Sequence, residues 1–197
     1  AYEIRLSLVG SEMCIRDSYD TSTRVPLIIS WPNRMPSTIS NDAMVCLQDF
    51  LPTFIELGGG TVPKELDGKS FAGVLRGTTT AHRDRVFTTQ SGDGDFNVYP
   101  CRSLRTSDDW VYIRNLHPEF QHHTHISRSA GATHGIEYWK SWLEEADKNP
   151  LAAVVVKRYI ERPAEELYDL KTIRLYTSLS PSFTSKANSV NELRRCL

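Results

Sequence analysis

A chain of 197 residues and 22.4 kDa can bury one sizeable hydrophobic core, or one and a fraction. Hydrophobic residues at 40% and charged residues at 24% exclude wholesale disorder, and no apolar run approaches the roughly 18 residues of a membrane span. Lys and Arg number 23 against 24 Asp and Glu, so the net charge of -1 supplies no general field for nucleic acid or an acidic membrane, and any anion site has to be local. The cysteines at 14, 46, 101 and 196 form no CxxC pair, which argues against structural zinc and against a disulfide scaffold.

Residues 1–18, AYEIRLSLVGSEMCIRDS, fail as a signal peptide because Glu3 and Arg5 flank a short apolar run and Glu12 follows it. The stretch resembles a read-through peptide found at the ends of translated environmental fragments, and it is expected to be a non-native leader. Val25 to Trp31, VPLIISW, is a continuous apolar run suited to a strand buried on both faces of an α/β sheet, with Pro26 at its start or on the sheet's edge. In QDFLPTFIELGGG a helix is predicted: Asp49 caps it, Pro52 falls in the first turn, Leu51, Phe54 and Ile55 form the apolar face, and Gly58 to Gly60 stop it.

After a Gly/Thr-rich link near 77–80 the pattern changes to short alternating segments, which marks a second subdomain. Cys101 to Thr106 and Trp110 to Asn115 read as two strands joined by the turn formers Ser107, Asp108 and Asp109, with Trp110, Tyr112 and Arg114 on one face. Tyr138, Trp139, Trp142, Leu143 and Ala146 recur at helical spacing until Asn149 and Pro150, and Pro150 can open a second helix that ends before Pro163. EELYDL, from Glu165 to Leu170, is a short strand, and residues 173–197 turn Ser/Thr-rich and read as an irregular or frame-shifted tail. The chain thus divides into a leader (1–18), the end of an α/β domain (19–76), an antiparallel subdomain (77–172) and a tail (173–197).

The densest candidate chemistry is HPEFQHHTHI, with His117, His122, His123 and His125. On a strand His123 and His125 point to the same side and could donate to one ligand. Substrate contact, a metal site and a solvated loop all remain open for this cluster. DGKS at 67–70 is not a phosphate loop, because Pro63 stands where the earlier glycine is required. Cys101 and Arg105 have the spacing of a nucleophile motif without its proline, and a buried structural thiol is the simpler reading. SGDGDFN at 91–97 lacks the ligand series and closing Glu of a calcium loop.

In order, YDTSTRVPLIISWP, LQDFLPTFIELGG, LDGKSF, RSLRTSDDWVYIRN and RPAEELYDLKT resemble the C-terminal part of the sulfatase family over roughly residues 19–172. With NLHPEF and YWKSW, the resemblance points to the heparan N-sulfatase (N-sulfoglucosamine sulfohydrolase) branch. It implies an α/β fold: the C-terminal fragment of an alkaline-phosphatase-like sulfatase, with a small subdomain of four antiparallel strands and a packed helix. It also implies hydrolysis of sulfuric esters or sulfamates on sulfated, glycosaminoglycan-like carbohydrate, with a formylglycine nucleophile and a calcium ion. By resemblance such enzymes are periplasmic, extracellular or lysosomal.

The C/S-x-P-S/A-R motif that yields formylglycine does not occur in the sequence, and the segment that carries the calcium ligands in the family is replaced by the suspect leader. No catalytic or metal residue is therefore carried over, and the chain alone is expected to be inactive. Arg24, His123 and His125 remain as substrate-binding candidates at the rim of the pocket, a guanidinium being suited to sulfate or carboxylate. Arg102, Arg105 and Arg114 are expected to form a solvated charged face. A non-catalytic glycan-binding module, or a phosphatase or phosphodiesterase of the same superfold, stands as the alternative. Without the rest of the α/β sheet, the run at Val25 to Trp31 and the Asp49 helix are expected to leave apolar surface exposed.

Overall fold

A computed structural model of the chain describes residues 18–36, 40–92, 99–124, 127, 136–172, 174–177, 191 and 193. They fall into two compact units, one drawn from within Ala1–Val25, Phe87–Leu104 and Trp110–Leu197, the other from Pro26–Val86 with Arg105–Asp109.

The second of these holds a 3₁₀ turn, Leu47–Asp49, running directly into helix α2, Phe50–Leu57, and a single turn, α3, Ala72–Leu75; helix α1, Asp20–Thr23, belongs to the other unit. VPLIISW forms no strand, and Val25 and Ile28 are 69% and 90% exposed. An apolar run becomes a strand only where neighbours take up its backbone groups, and residues 24–31 have no such ladder among the described residues. The helix is present but its buried residues are Pro52 and Thr53, while Leu51 and Phe54 are exposed, so the expected apolar face is not the one that packs.

Asp49 stands at the N-cap of α2, yet its side chain does not cap the helix. Fully buried, it accepts from the backbone N–H of Lys69 at 2.8 Å and of Cys46 at 3.1 Å, from Arg83 Nε at 2.7 Å and Arg83 Nη2, and faces His82 Nε2 at 3.1 Å. Burial alone would raise its pKa, but the Arg83 guanidinium and the Lys69 and Cys46 amides outweigh that and hold the carboxyl well below the usual range. Burial and the same carboxylate push the Cys46 thiol up to about 11, so it remains S–H and donates to Asp49 at 3.2 Å. Thr53 continues the knot, giving its hydroxyl to the Asp49 carbonyl and accepting from Phe71 N–H at 3.0 Å. The glycine of DGKS is explained by packing: a Cβ on Gly68 would lie 1.9 Å from the Gln48 carbonyl oxygen.

The sheet implied by the resemblance is present, with five strands where four were expected, in the order β1 (Arg85–Gln90), β2 (Cys101–Thr106), β3 (Trp110–Asn115), β4 (Glu165–Asp169) and β5 (Arg174–Thr177). The last lies in the segment read as a tail, and its backbone pairs antiparallel with β4, Leu167 opposite Tyr176. A three-residue connection makes β2 and β3 a hairpin, and Asp109 takes the left-handed position that closes it, φ 71°. β3 pairs antiparallel with β4, Tyr112 opposite Leu167 and Arg114 opposite Glu165.

One cluster joins Leu104, Tyr112, Leu167 and Leu193 with Trp110; another joins Cys101, Val111 and Ile113 with Tyr19, Tyr168 and Leu170. Both sides of β3 are thus covered, which is why its residues read as a continuous apolar run as much as an alternation. Helices α4, Ile136–Ala146, and α5, Pro150–Ile160, pack on each other around Trp139, Val156 and Tyr159, and Asn149 caps α5 by accepting from Leu151 N–H. Tyr138, Trp142 and Leu143, expected on the packed face, are exposed.

Gly68→Ala is expected to destabilise the unit that holds α2 by at least about 2 kcal/mol, because the nearest atoms it meets are the Gln48 backbone and cannot swing aside. Asp49→Asn should cost about 2–3 kcal/mol by leaving the partly buried Arg83 without its carboxylate. Since the Asp49 carboxyl is depressed, its contribution is complete above about pH 4 and is withdrawn as the pH falls toward its folded value, so the Asn variant should show a flatter acid limb. Urea unfolding from neutral to acid pH checks all three statements.

Candidate functional site

The polar residues of the sequence motifs converge on one buried carboxylate. Glu166, 1% exposed on β4, accepts from Tyr19 Oη at 2.6 Å, Tyr168 Oη at 2.6 Å and Asn115 Nδ2 at 2.9 Å. Arg162 donates to the Tyr19 hydroxyl at 2.8 Å and lies over the Tyr19 ring, 4.6 Å from its centroid. Asn115 also donates to the Pro163 carbonyl at 2.6 Å, tying the end of β3 to the entry of β4. Burial first, and the Glu166 charge second, raise the hydroxyls of Tyr19, Tyr168 and Tyr99 well above the usual phenol range. The hydrogen bonds of this cluster hold three chain segments together. Sequence reasoning listed their motifs without assigning the residues a task; the signal available was five polar and aromatic side chains at motif positions with no other evident use.

A loop leaves β3 beside this cluster. Leu116 N–H donates to the Pro100 carbonyl at 3.0 Å, and His117 to Phe120 form a turn with Pro118 at its second position, closed by Phe120 N–H on the His117 carbonyl at 3.0 Å. His122 N–H then donates to Ile160 O at 2.8 Å, and Thr124 bonds the Tyr159 hydroxyl at 3.0 Å. The His122 ring is buried edge-on between Tyr99 and Tyr159, with centroids 5.2 and 4.9 Å away. Burial, then the Arg162 and His123 charges, push its pKa down to about 3. His122 is therefore a neutral core histidine that anchors the loop.

Of the rim candidates, Arg24 is exposed just after α1. His123 is half-buried in the loop, not on a strand, with Nδ1 3.3 Å from Ser127 Oγ and Nε2 3.3 Å from Gln121 Oε1. The alternation argument that paired it with His125 does not apply without a strand, and His125 itself lies outside the described residues. His117 pairs with Glu119 at 2.8 Å on the surface. Cys101 is buried, donates to Ser18 Oγ at 3.2 Å and packs with Val111 and Ile113, in keeping with a structural thiol. Arg114 is exposed, while Arg102 is half-buried and donates to the Gln90 and Cys101 carbonyls. SGDGDFN falls largely on residues outside the description.

A calcium ion would need several converging oxygen ligands. Among the described residues no group of three or more His, Cys, Asp or Glu is so placed, and the oxygens of Asp49 and Glu166 are occupied by protein donors. These residues do not fit a calcium site. No helix is long and apolar enough to cross a membrane among the described residues.

His122 is expected to stay neutral at about pH 5, where an unperturbed imidazole is protonated. Because its folded value lies below the unfolded one, it stabilises the fold above about pH 6.5, and that contribution is lost as the pH falls toward its folded value. The ring ¹⁵N shifts of His122, and a shallower acid limb in His122→Phe, are the measurements.

The N-sulphoglucosamine sulphohydrolase C-terminal family matches residues 15–117, just over half of the chain. An ulvan-active sulfatase of Formosa agariphila is 27% identical over 154 residues, which cover 77% of this chain and 28% of that protein. Arylsulfatase G of Mus musculus is 31% identical over 85 residues, 42% of this chain and 16% of its own length. Among solved structures, a 2-O GAG sulfatase aligns with 73% of this chain and 22% of its own, at 21% identity and a TM-score of 0.41. The chain thus spans under a third of the length of the relatives named here. A family match over this much of the sequence is decisive: the chain belongs to the N-sulphoglucosamine sulphohydrolase C-terminal family, and with it to the sulfatases.

Proposed function

We propose that the chain is the C-terminal part of a sulfatase that hydrolyses a sulfuric ester or sulfamate on a sulfated glycan. The single observation that carries this is the family match through residues 15–117. The ulvan-active relative supports a sulfated polysaccharide as the substrate class. In a complete enzyme of the family formylglycine would supply the nucleophile and calcium the charge neutralisation at sulfur; neither is assigned to a residue of this chain.

Its own contribution is to the rim. Arg24 offers a planar pair of donors to a sulfate or uronate carboxylate, and His123 with His125 offers imidazole contacts to sugar hydroxyls. The buried Glu166 cluster ties together elements of the unit that carries these residues.

Purified alone, the chain is expected to show no metal-dependent hydrolysis of an aryl sulfate; turnover well above the blank would refute this. In the protein completed with its upstream catalytic region, Arg24→Ala and the double change His123→Ala, His125→Ala are each expected to raise KM for a sulfated disaccharide about tenfold with little change in kcat. Unchanged constants would remove those residues from the site.

A further inference from the structure

Arg24 follows directly on α1, a single helical turn over Asp20–Thr23. One turn of helix does not hold itself, because fixing its backbone costs more than its few hydrogen bonds return, so its placement has to come from outside. Tyr19, the residue before the turn, is joined at both ends. Its carbonyl accepts from Ser22 N–H at 3.0 Å, from Thr23 N–H at 3.1 Å and from the Thr23 hydroxyl at 3.1 Å. Its side chain enters the Glu166 cluster, where the hydroxyl donates to Glu166 at 2.6 Å and accepts from Arg162 at 2.8 Å.

Those side-chain bonds join residues 147 and 143 positions apart, so the turn is set against β4 and the segment after α5 and not by its sequence neighbours. The Tyr19 ring packs against Cys101, Val111 and Ile113 and stands edge-on to Tyr168, with centroids 5.9 Å apart, while the Arg162 guanidinium lies 4.6 Å from its centroid. With its single proton committed to Glu166 and a lone pair to Arg162, the phenol has its orientation fixed as well as its depth. On the far side of Arg24, Pro26 disfavours helical backbone at Val25, which stops the turn there.

We propose that Tyr19 is a positioning residue for Arg24: its hydroxyl, held between Glu166 and Arg162, fixes the turn from whose end Arg24 meets the anionic group of the substrate. A guanidinium recognises sulfate or carboxylate through paired donors in one plane, so affinity depends on where its backbone stands, and a loose turn would have to be ordered on binding. The role is separable from the stability of the cluster, because Tyr168 and Asn115 still donate to Glu166 when the Tyr19 hydroxyl is removed. The inference rests on the reading of Arg24 as a substrate contact in a glycan sulfatase and adds to it the residue that places that contact.

In the protein completed with its upstream catalytic region, Tyr19→Phe and Thr23→Val, each alone and combined with Arg24→Ala, should be compared on a sulfated disaccharide, after circular dichroism shows which variants keep the parent fold. Tyr19→Phe retains the ring and is expected to raise KM about threefold or more with kcat unchanged, and to add nothing further to Arg24→Ala. A purely structural role would lower the active fraction, and with it kcat, without moving KM. Should Tyr19→Phe not fold, Thr23→Val, which removes only the hydroxyl bond to the Tyr19 carbonyl, is judged by the same split. An unchanged KM in the folded variant beside a raised KM in Arg24→Ala overturns the positioning role and leaves Arg24 in the site. A KM rise that persists in full on the Arg24→Ala background also overturns it, and an unchanged KM in Arg24→Ala overturns both readings.

Discussion

A carboxylate cannot be taken out of water unless the protein replaces the lost hydration, and Glu166 shows what that demand does to the rest of the chain. Its side chain is 1% exposed, and the donors that satisfy it come from residues 19, 115 and 168. Two of those are far away in sequence, so satisfying the buried Glu166 carboxyl oxygens requires the segment before α1, the end of β3 and β4 to meet. Arg162, stacked on Tyr19, donates to the Tyr19 hydroxyl, which in turn donates to Glu166. Asp49 imposes the same requirement in the other unit, drawing Cys46, Lys69, His82 and Arg83 around one side chain.

This gives the family motifs a physical meaning different from catalysis. Tyr19 belongs to YDTSTRVP, Asn115 to the stretch that leads into NLHPEF, and Arg162, Glu166 and Tyr168 to RPAEELYDL. Asp49 belongs to LQDF, and Gly68 and Lys69 to LDGKSF. Each of these residues is a partner in a buried polar cluster or a close backbone approach. The motifs therefore report the fold, and the reactive chemistry of the family is not read from them.

The residues available to a ligand follow from what the buried clusters leave outside. His122 and His123 are adjacent in the chain, yet one is a neutral core imidazole and the other faces the loop's polar side chains. The buried histidine is wedged between Tyr99 and Tyr159, and its backbone N–H ties the loop to Ile160. Exposed Val25, Ile28, Leu51 and Phe54 are in keeping with the expectation that the apolar run and the Asp49 helix leave surface uncovered. Their exposure says nothing against the local chemistry that predicted a helix at Phe50–Leu57, which forms through Thr53 and Pro52 instead.

Local chemistry was enough to place the β2–β3 hairpin, both long helices and β4, because turn formers, a capping Asn149 before Pro150 and regular apolar spacing act over a few residues. The order of five motifs likewise carried the family. Tertiary structure decided what depends on partners distant in the chain. VPLIISW has strand composition but no neighbouring strand among the described residues; Asp49 has the position of a cap but is claimed by Arg83; and a cluster of histidines divides into core and surface members only when Tyr99 and Tyr159 close over one of them. Burial and long-range pairing are properties of the assembled chain, and no window of sequence contains them.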